Sequence, residues 1–156
     1  ILNNIGSIYS YNHTNKWQFY HSSTLIPDSL TTLQPKKGYF IIMKNNATLT
    51  IAGNLTNASG GVPQVQLQQG WNLIGLHSNQ SQLIRNVINS SIINYSTIWR
   101  FNDIAQNYVQ LNELTDSFNP TKAYWINLRE SEVFGPPGST QSIITNIING
   151  IKKILL

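Results

Sequence analysis

Short apolar and aromatic runs separated by polar turns dominate this chain. Residues 8–20 contain two such runs around a polar turn at 12–15, and residues 98–111 contain two around a turn at 102–107. Two runs flanking a short polar turn are typical of a β-hairpin. The pattern therefore predicts antiparallel β-structure in both regions.

Other runs extend this prediction. Residues 65–76 predict a strand, a glycine turn and a second strand. Residues 39–43 (YFIIM) are apolar on both faces, which is typical of a central strand, whereas residues 124–129 (YWINLR) alternate and indicate one solvated face. The PKKG turn at 35–38 begins with a proline that presets φ, and its last residue, Gly38, is expected to take positive φ.

The two hairpin regions belong to an internal repeat. IYSYN at 8–12 matches IWRFN at 98–102, and QPKKGYFI at 34–41 matches NPTKAYWI at 119–126. Such self-similarity predicts two copies of one structural unit. The first copy lacks the GWNL strand pair of the second, so one edge of its sheet is expected to be covered by an upstream segment, a cleaved fragment that stays bound, or a strand from a neighbouring subunit.

Two segments predict helices. Residues 81–88 predict one short helix, and residues 139–156 place isoleucines on one face at helical spacing. The tail helix has three alternatives: packing on its own β domain, an intermolecular coil, or contact with a membrane interface. The candidate oligomerisation residues in the tail are Ile144, Ile147, Ile148, Ile151, Ile154 and Leu155.

These elements predict an all-β fold. We expect an antiparallel sandwich or barrel-like domain built from two related repeats, with a short C-terminal amphipathic helix. The expected division is residues 1–61 for a first repeat that is incomplete at its N-terminus, 62–138 for a complete second repeat, and 139–156 for the helix.

Charge is scarce, which narrows the function classes. Only 10% of residues are charged, against about 25% in a typical protein. The net charge is +4, without a Lys/Arg stripe of the kind that follows a phosphate backbone, so no nucleic-acid partner is expected. The chain has no Cys, which excludes disulfides and thiol catalysis, and its polar surface comes from 20 Asn, 15 Ser and 12 Thr.

The residues that carry most enzyme chemistry are few and scattered. Glu130 and Glu132 are the nearest pair of carboxylates, and an exposed pair beside a turn explains them best. None of the three histidines has a ligand at metal spacing, so neither a metal nor another cofactor is expected. We expect no enzymatic activity.

The aromatic residues allow two interpretations. Most of them recur at equivalent repeat positions, which favours equivalent places in the core. The alternative is a platform on which flat rings stack against sugars, and the candidates on the outward face are Trp125 with Trp99 or Tyr9.

Asn-x-Ser/Thr sequons are mildly more frequent than chance predicts, which allows two interpretations: the bias of the composition toward Asn, Ser and Thr, or a glycosylated outer surface. The candidate glycosylation sites are Asn12, Asn46, Asn54, Asn57, Asn79, Asn89 and Asn94.

Three of these motifs together resemble a known module. GWNLIGL at 70–76, IWRFN at 98–102 and NPTKAYWI at 119–126 resemble the GWNL/GYWI-type β-repeat of secreted archaeal and bacterial cell-surface proteins, over about residues 5–135. The chain departs from that pattern in lacking a proline after Leu76 and in carrying Ala123 where the family has glycine. The resemblance implies a β-rich extracellular module of surface-layer-like or adhesin-like proteins.

We therefore expect a non-enzymatic extracellular structural protein, a self-assembling subunit of a cell-surface layer, fibre, filament or virion surface. The alternative is a carbohydrate-binding or adhesion module of a larger secreted protein. The expected partners are further copies of the chain, or an upstream or cleaved segment that completes the first repeat, together with glycans.

Overall fold

The protein was examined as a computed structural model, which describes residues 4–22, 25, 27–48, 64–76, 78–88 and 94–135. The described chain is mostly antiparallel β-structure, so the all-β prediction is confirmed. In chain order the elements are β1 (Ile5–Asn12), β2 (Lys16–His21), β3 (Phe40–Met43), β4 (Val65–Leu67), β5 (Gly70–Gly75), β6 (Gln82–Leu83), α1 (Ile84–Ile88), β7 (Tyr95–Asn102), β8 (Asn107–Gln110), β9 (Ser117–Phe118), β10 (Ala123–Leu128) and β11 (Glu132–Phe134).

Two sheets organise the fold, and they share one plan. The first sheet has the strand order β2-β1-β3, and the second has the order β8-β7-β10-β5. Strands β1, β2 and β3 correspond to β7, β8 and β10 of the sequence repeat. The second sheet therefore contains one strand more than the first, and that strand is β5, which carries the GWNLIG motif.

The two hairpins close in the same way. The Oδ1 atom of Asn12 accepts hydrogen bonds from the backbone N–H groups of Thr14 (2.9 Å) and Asn15 (3.4 Å). The Oδ1 atom of Asn102 does the same for Ile104 and Ala105, both at 3.1 Å. An Asn side chain that binds the backbone two residues on forms an Asx turn, which explains why both turns begin with Asn.

The turn of the first repeat is hydrogen-bonded to β5 of the second repeat. Lys37 forms a β-bridge with Ile74. The N–H of Gly38 donates to the carbonyl of Leu73 at 3.1 Å, and the N–H of Gly75 donates to the carbonyl of Lys36 at 2.8 Å. One edge of β5 thus pairs with β10, and the end of its other edge pairs with the turn of the first repeat.

Aliphatic side chains fill the core. The larger cluster lies on the inner face of the second sheet and includes Ile98, Ile126 and the three buried residues of α1. A smaller cluster of Ile5, Ile8 and Leu30 lies on the first sheet. Burial of the larger cluster supplies most of the hydrophobic stabilisation, because that term scales with the apolar area removed from water.

Two strand predictions had different outcomes. Residues 39–43 were expected to form a central strand, but among the described residues β3 pairs with β1 alone. The strand within 124–129 was expected to alternate with one face toward solvent, and β10 does alternate: Tyr124, Ile126 and Leu128 are buried, and the residues between them are partly exposed. β3 is an edge strand among the described residues because the first sheet has no counterpart of β5, which lies beside β10 in the second sheet.

The PKKG turn also differs from its prediction. Positive φ occurs at Lys36 (64°) and not at Gly38, and Thr121 of the second repeat has the same conformation (65°). Gly38 has a different role, because a Cβ there would lie 2.9 Å from the Cβ of Ala123 and 2.7 Å from the Cγ of Leu73. The glycine is required for close approach of the two repeats.

The helix predictions have separate outcomes. The segment 81–88 forms the short strand β6 followed by the single turn of α1, so a helix over its whole length was wrong. The tail helix at 139–156 lies outside the described residues, as do the tail isoleucines. The expected boundaries at 61 and 138 fall there too.

Candidate functional site

Aromatic side chains cover the faces through which the two sheets meet. Alternation along β10 directs Tyr124 to the core and Trp125 to the opposite face, where Trp99 of β7 lies directly across from it. On the first sheet Tyr11 lies across from Trp17. The rings of Tyr11 and Trp125 meet edge to face, with centroids 5.2 Å apart, so the aromatic faces of the two repeats are in contact.

These rings surround a concave space, which we call the aromatic cavity. It has a volume of about 440 Å³ and is lined by Tyr11, Trp17, Trp71, Trp99, Tyr108 and Trp125. Trp125 lies at its centre, since its ring centroid is 5.8 Å from that of Trp17 and 6.2 Å from that of Trp71. Both neighbours stand almost perpendicular to Trp125, at 80° and 88°.

The expectation that most aromatics fill the core was wrong for the tryptophans. Tyr124 and Phe118 are buried, whereas no tryptophan is, and Trp71 is 41% exposed. The physical reason is the strand alternation, which places Tyr124 and aliphatic residues such as Ile98 and Ile126 on the core face of the second sheet and the tryptophans on the opposite face.

A larger groove of about 940 Å³ adjoins the aromatic cavity, and we call it the edge groove because β3 forms one of its walls. Trp17 and Tyr108 line both spaces. The apolar side of the groove includes Tyr9, Phe40 and Ile42, and its polar side is formed by Asp103, Gln106, Thr121 and Lys122. Lys122 Nζ and Asp103 Oδ2 form an exposed ion pair at 3.4 Å.

The structure brings together two of the three predicted ligand-binding residues. Trp125 and Trp99 line the aromatic cavity, whereas Tyr9 lines the edge groove and contacts His21 Nε2 through its hydroxyl at 3.3 Å. Sequence reasoning did not select the other four residues of the cavity. Two signals were present: the tryptophan of the GWNL motif, and the predicted hairpin register that places Trp17 beside Tyr11.

Strand β3, an edge strand among the described residues, is a second unusual surface. Ile41 is 37% exposed, whereas Ile126, its equivalent in the second repeat, is 0% exposed. Ile42 is also exposed. Ile126 is enclosed because its strand has neighbours on both sides, with Asn72 of β5 on one and Ile98 of β7 on the other.

Two of the carboxylates hold backbone in turns. Asp28 Oδ1 accepts the N–H of His21 at 2.8 Å, and Asp116 Oδ2 accepts the N–H of Asn112 at 2.7 Å. Desolvation raises the pKa of Glu132, and the nearby charge of Glu130 raises it further.

Across the described ranges, no three side chains of the types His, Cys, Asp and Glu lie close enough to hold a metal ion.

Lys36 is a buried cation between the repeats. It is 5% exposed, its Nζ donates to the carbonyl of Phe134 at 3.3 Å, and Nζ lies 5.4 Å from the centroid of the Phe134 ring. Desolvation lowers the pKa of Lys36 to about 8. Burial disfavours the charged form of a lysine, so burying the Lys36 ammonium group lowers the free energy of unfolding at neutral pH.

The described sequons differ in availability. Asn46 and Asn79 are exposed. The side chain of Asn12 holds its hairpin turn, and Asn94 Nδ2 donates to Glu130 Oε1. Asn54, Asn57 and Asn89 lie outside the described residues.

No helix in the described part of the chain has the length and apolar character needed to cross a bilayer. Comparison with known protein families, curated proteins and solved structures found no match to this chain.

Proposed function

We propose that this chain is a non-enzymatic extracellular structural protein, a self-assembling subunit of a cell-surface layer, fibre, filament or virion surface. The supporting observation is the difference between two equivalent isoleucines: Ile126 is enclosed within a four-stranded sheet, and Ile41 is exposed on an edge strand. In the proposed assembly a strand from a neighbouring copy covers β3.

The composition of β3 supports this role. Natural proteins protect edge strands with charged residues, proline or bulges, because unpaired N–H and C=O groups are a template for another strand. The sequence of β3 is FIIM, which contains none of the protective residue types. A hydrophobic edge of this kind favours strand addition from another chain.

The low charge of the chain also favours association between copies. With 10% charged residues and a net charge of +4, electrostatic repulsion between copies is weak. The exposed sequons at Asn46 and Asn79 support an extracellular setting in which attached glycans maintain solubility.

Light scattering on the purified chain over a range of concentrations tests the proposal. We expect the wild-type mass to rise with concentration and the edge variant Ile42→Lys to remain monomeric. Ile104→Lys is the matched control, because Ile104 is 93% exposed in the β7–β8 turn. A wild-type chain that is monomeric at every concentration, or an Ile42→Lys variant that assembles like wild type, contradicts the proposal.

The aromatic cavity favours a second candidate function, a carbohydrate-binding or adhesion module of a larger secreted protein. The supporting observation is its lining by six aromatic rings, which include the predicted Trp125 and Trp99; both are partly exposed, and Trp17, Trp71 and Tyr108 are exposed.

A further inference from the structure

We propose that the aromatic cavity and the edge groove form one continuous site for a neutral oligosaccharide of hexopyranose units. The inference rests on the second candidate function and gives it a place on the molecule and a ligand class.

Ring orientation supplies the apolar half of the site. The rings of Trp17 and Trp71 lie at 80° and 88° to the ring of Trp125, which both contact. A pyranose ring carries flat patches of C–H groups, and aromatic rings bury such patches while their indole N–H groups remain available to polar partners. Rings at nearly right angles offer such a ligand stacking surfaces in more than one direction.

Polar groups complete the match to a sugar. Each of the four tryptophans carries an indole N–H group, which is a hydrogen-bond donor. In the edge groove, Asp103, Gln106 and Thr121 offer acceptors and donors to ring hydroxyls. An apolar floor beside a polar rim suits a ligand with apolar faces and a hydroxylated edge.

Charge favours a neutral ligand over a cation. Aromatic cages also bind quaternary ammonium groups through the faces of their rings. The six residues that line the aromatic cavity include no charged side chain. The carboxylate of the adjoining groove, on Asp103, is already paired with Lys122.

The size of the site favours an oligosaccharide. The aromatic cavity of about 440 Å³ and the edge groove of about 940 Å³ lie side by side and share the lining residues Trp17 and Tyr108, so a chain of several sugars can span both. Affinity is therefore expected to rise with the number of sugar units, because further units reach the polar rim.

Calorimetry and tryptophan fluorescence on the full chain test the site, with cellohexaose, mannohexaose and chitohexaose as probes. We expect at least one hexaose to bind, and to bind more tightly than its monosaccharide. Trp125→Ala and Trp71→Ala should each weaken binding about tenfold or more, by loss of one stacking surface. Circular dichroism checks that the β-structure is retained, and Trp71→Ala decides the result if Trp125→Ala does not fold. Ile104→Ala is the control and should bind like wild type.

The outcomes separate the inference from the function on which it rests. Hexaose binding that survives both tryptophan substitutions overturns this site while leaving carbohydrate binding in place. No binding of any hexaose overturns both. Binding of tetramethylammonium without any hexaose also overturns the inference, and identifies a cation cage instead.

Discussion

Gly38 and Ala123 occupy the same position in the two repeats and also lie against each other. A Cβ placed on Gly38 would lie 2.9 Å from the Cβ of Ala123 and 2.9 Å from the carbonyl oxygen of Ile74. The repeats therefore meet at equivalent residues, and only one of the two positions has room for a methyl group.

Gly38→Ala should destabilise the protein by about 1–3 kcal/mol, the usual cost of overpacking, because one of the clashing atoms belongs to backbone. Urea unfolding measures the effect. Gly135→Ala is the control, since its nearest neighbour would be 3.6 Å away. A Gly38→Ala variant as stable as the control would show that the contact relaxes without cost.

Two tyrosine hydroxyls hold equivalent turns. The N–H of Gln34 donates to the hydroxyl of Tyr39, and the N–H of Asn119 donates to the hydroxyl of Tyr124, both at 2.6 Å. Tyr124→Phe should cost about 1–2 kcal/mol, because it leaves a partly buried N–H without a partner. Tyr39→Phe should cost less, because water reaches its more exposed turn. Thermal unfolding of both variants measures which loses more stability. A larger loss of stability in Tyr39→Phe than in Tyr124→Phe would contradict this explanation.

The equivalent isoleucines should respond differently to truncation. Ile126→Ala should cost about 2–5 kcal/mol, as expected for a core position. Ile41→Ala should cost less than about 1 kcal/mol in the monomer, since its side chain is already partly in water. Urea unfolding at low concentration compares them. Equal costs would mean that Ile41 is enclosed in solution.

Lys36 should make stability depend on pH. Its pKa of about 8 in the folded chain is below the unfolded value, so between pH 8 and 10 the unfolded chain binds more protons. The contribution of Lys36 to stability should therefore rise with pH in that window, by about 1–2 kcal/mol; tyrosines titrate near its upper end, equally in wild type and in a variant without this lysine.

Urea unfolding between pH 8 and 10 measures this rise. Lys36→Met should abolish it and should be more stable than wild type at pH 7, because it removes the buried charge. An identical pH profile for the variant and wild type would remove Lys36 as the cause.

Periodicity, turn residues and internal similarity predicted the strands because these signals are local. The hairpin at Asn12 and the strand pair around Gly70 follow from side chains within a few residues of each turn. The repeat also led to Trp125 and Trp99 as outward candidates. All of these positions can be derived from alternation within one strand.

The positions of whole strands could not be derived in this way. Tyr39–Met43 reads as a central strand because it is apolar throughout, yet its pairing depends on whether a GWNL-type strand lies beside it. Trp17 and Trp71 join the aromatic cavity only because two sheets that are distant in sequence meet face to face. Contacts of this kind are set by tertiary packing, and a local pattern does not contain them.

The β-bridge between Lys37 and Ile74 has a mechanical consequence. Strand β5 is hydrogen-bonded to its own repeat along one edge and to the preceding repeat at the end of the other. Strand β5 therefore restrains the first repeat relative to the second, because bending between the two repeats requires these backbone hydrogen bonds to break. In a longer tandem array built on this plan, every joint between repeats would contain this pair of backbone hydrogen bonds, so bending or stretching the array would strain them as well as the connecting chain.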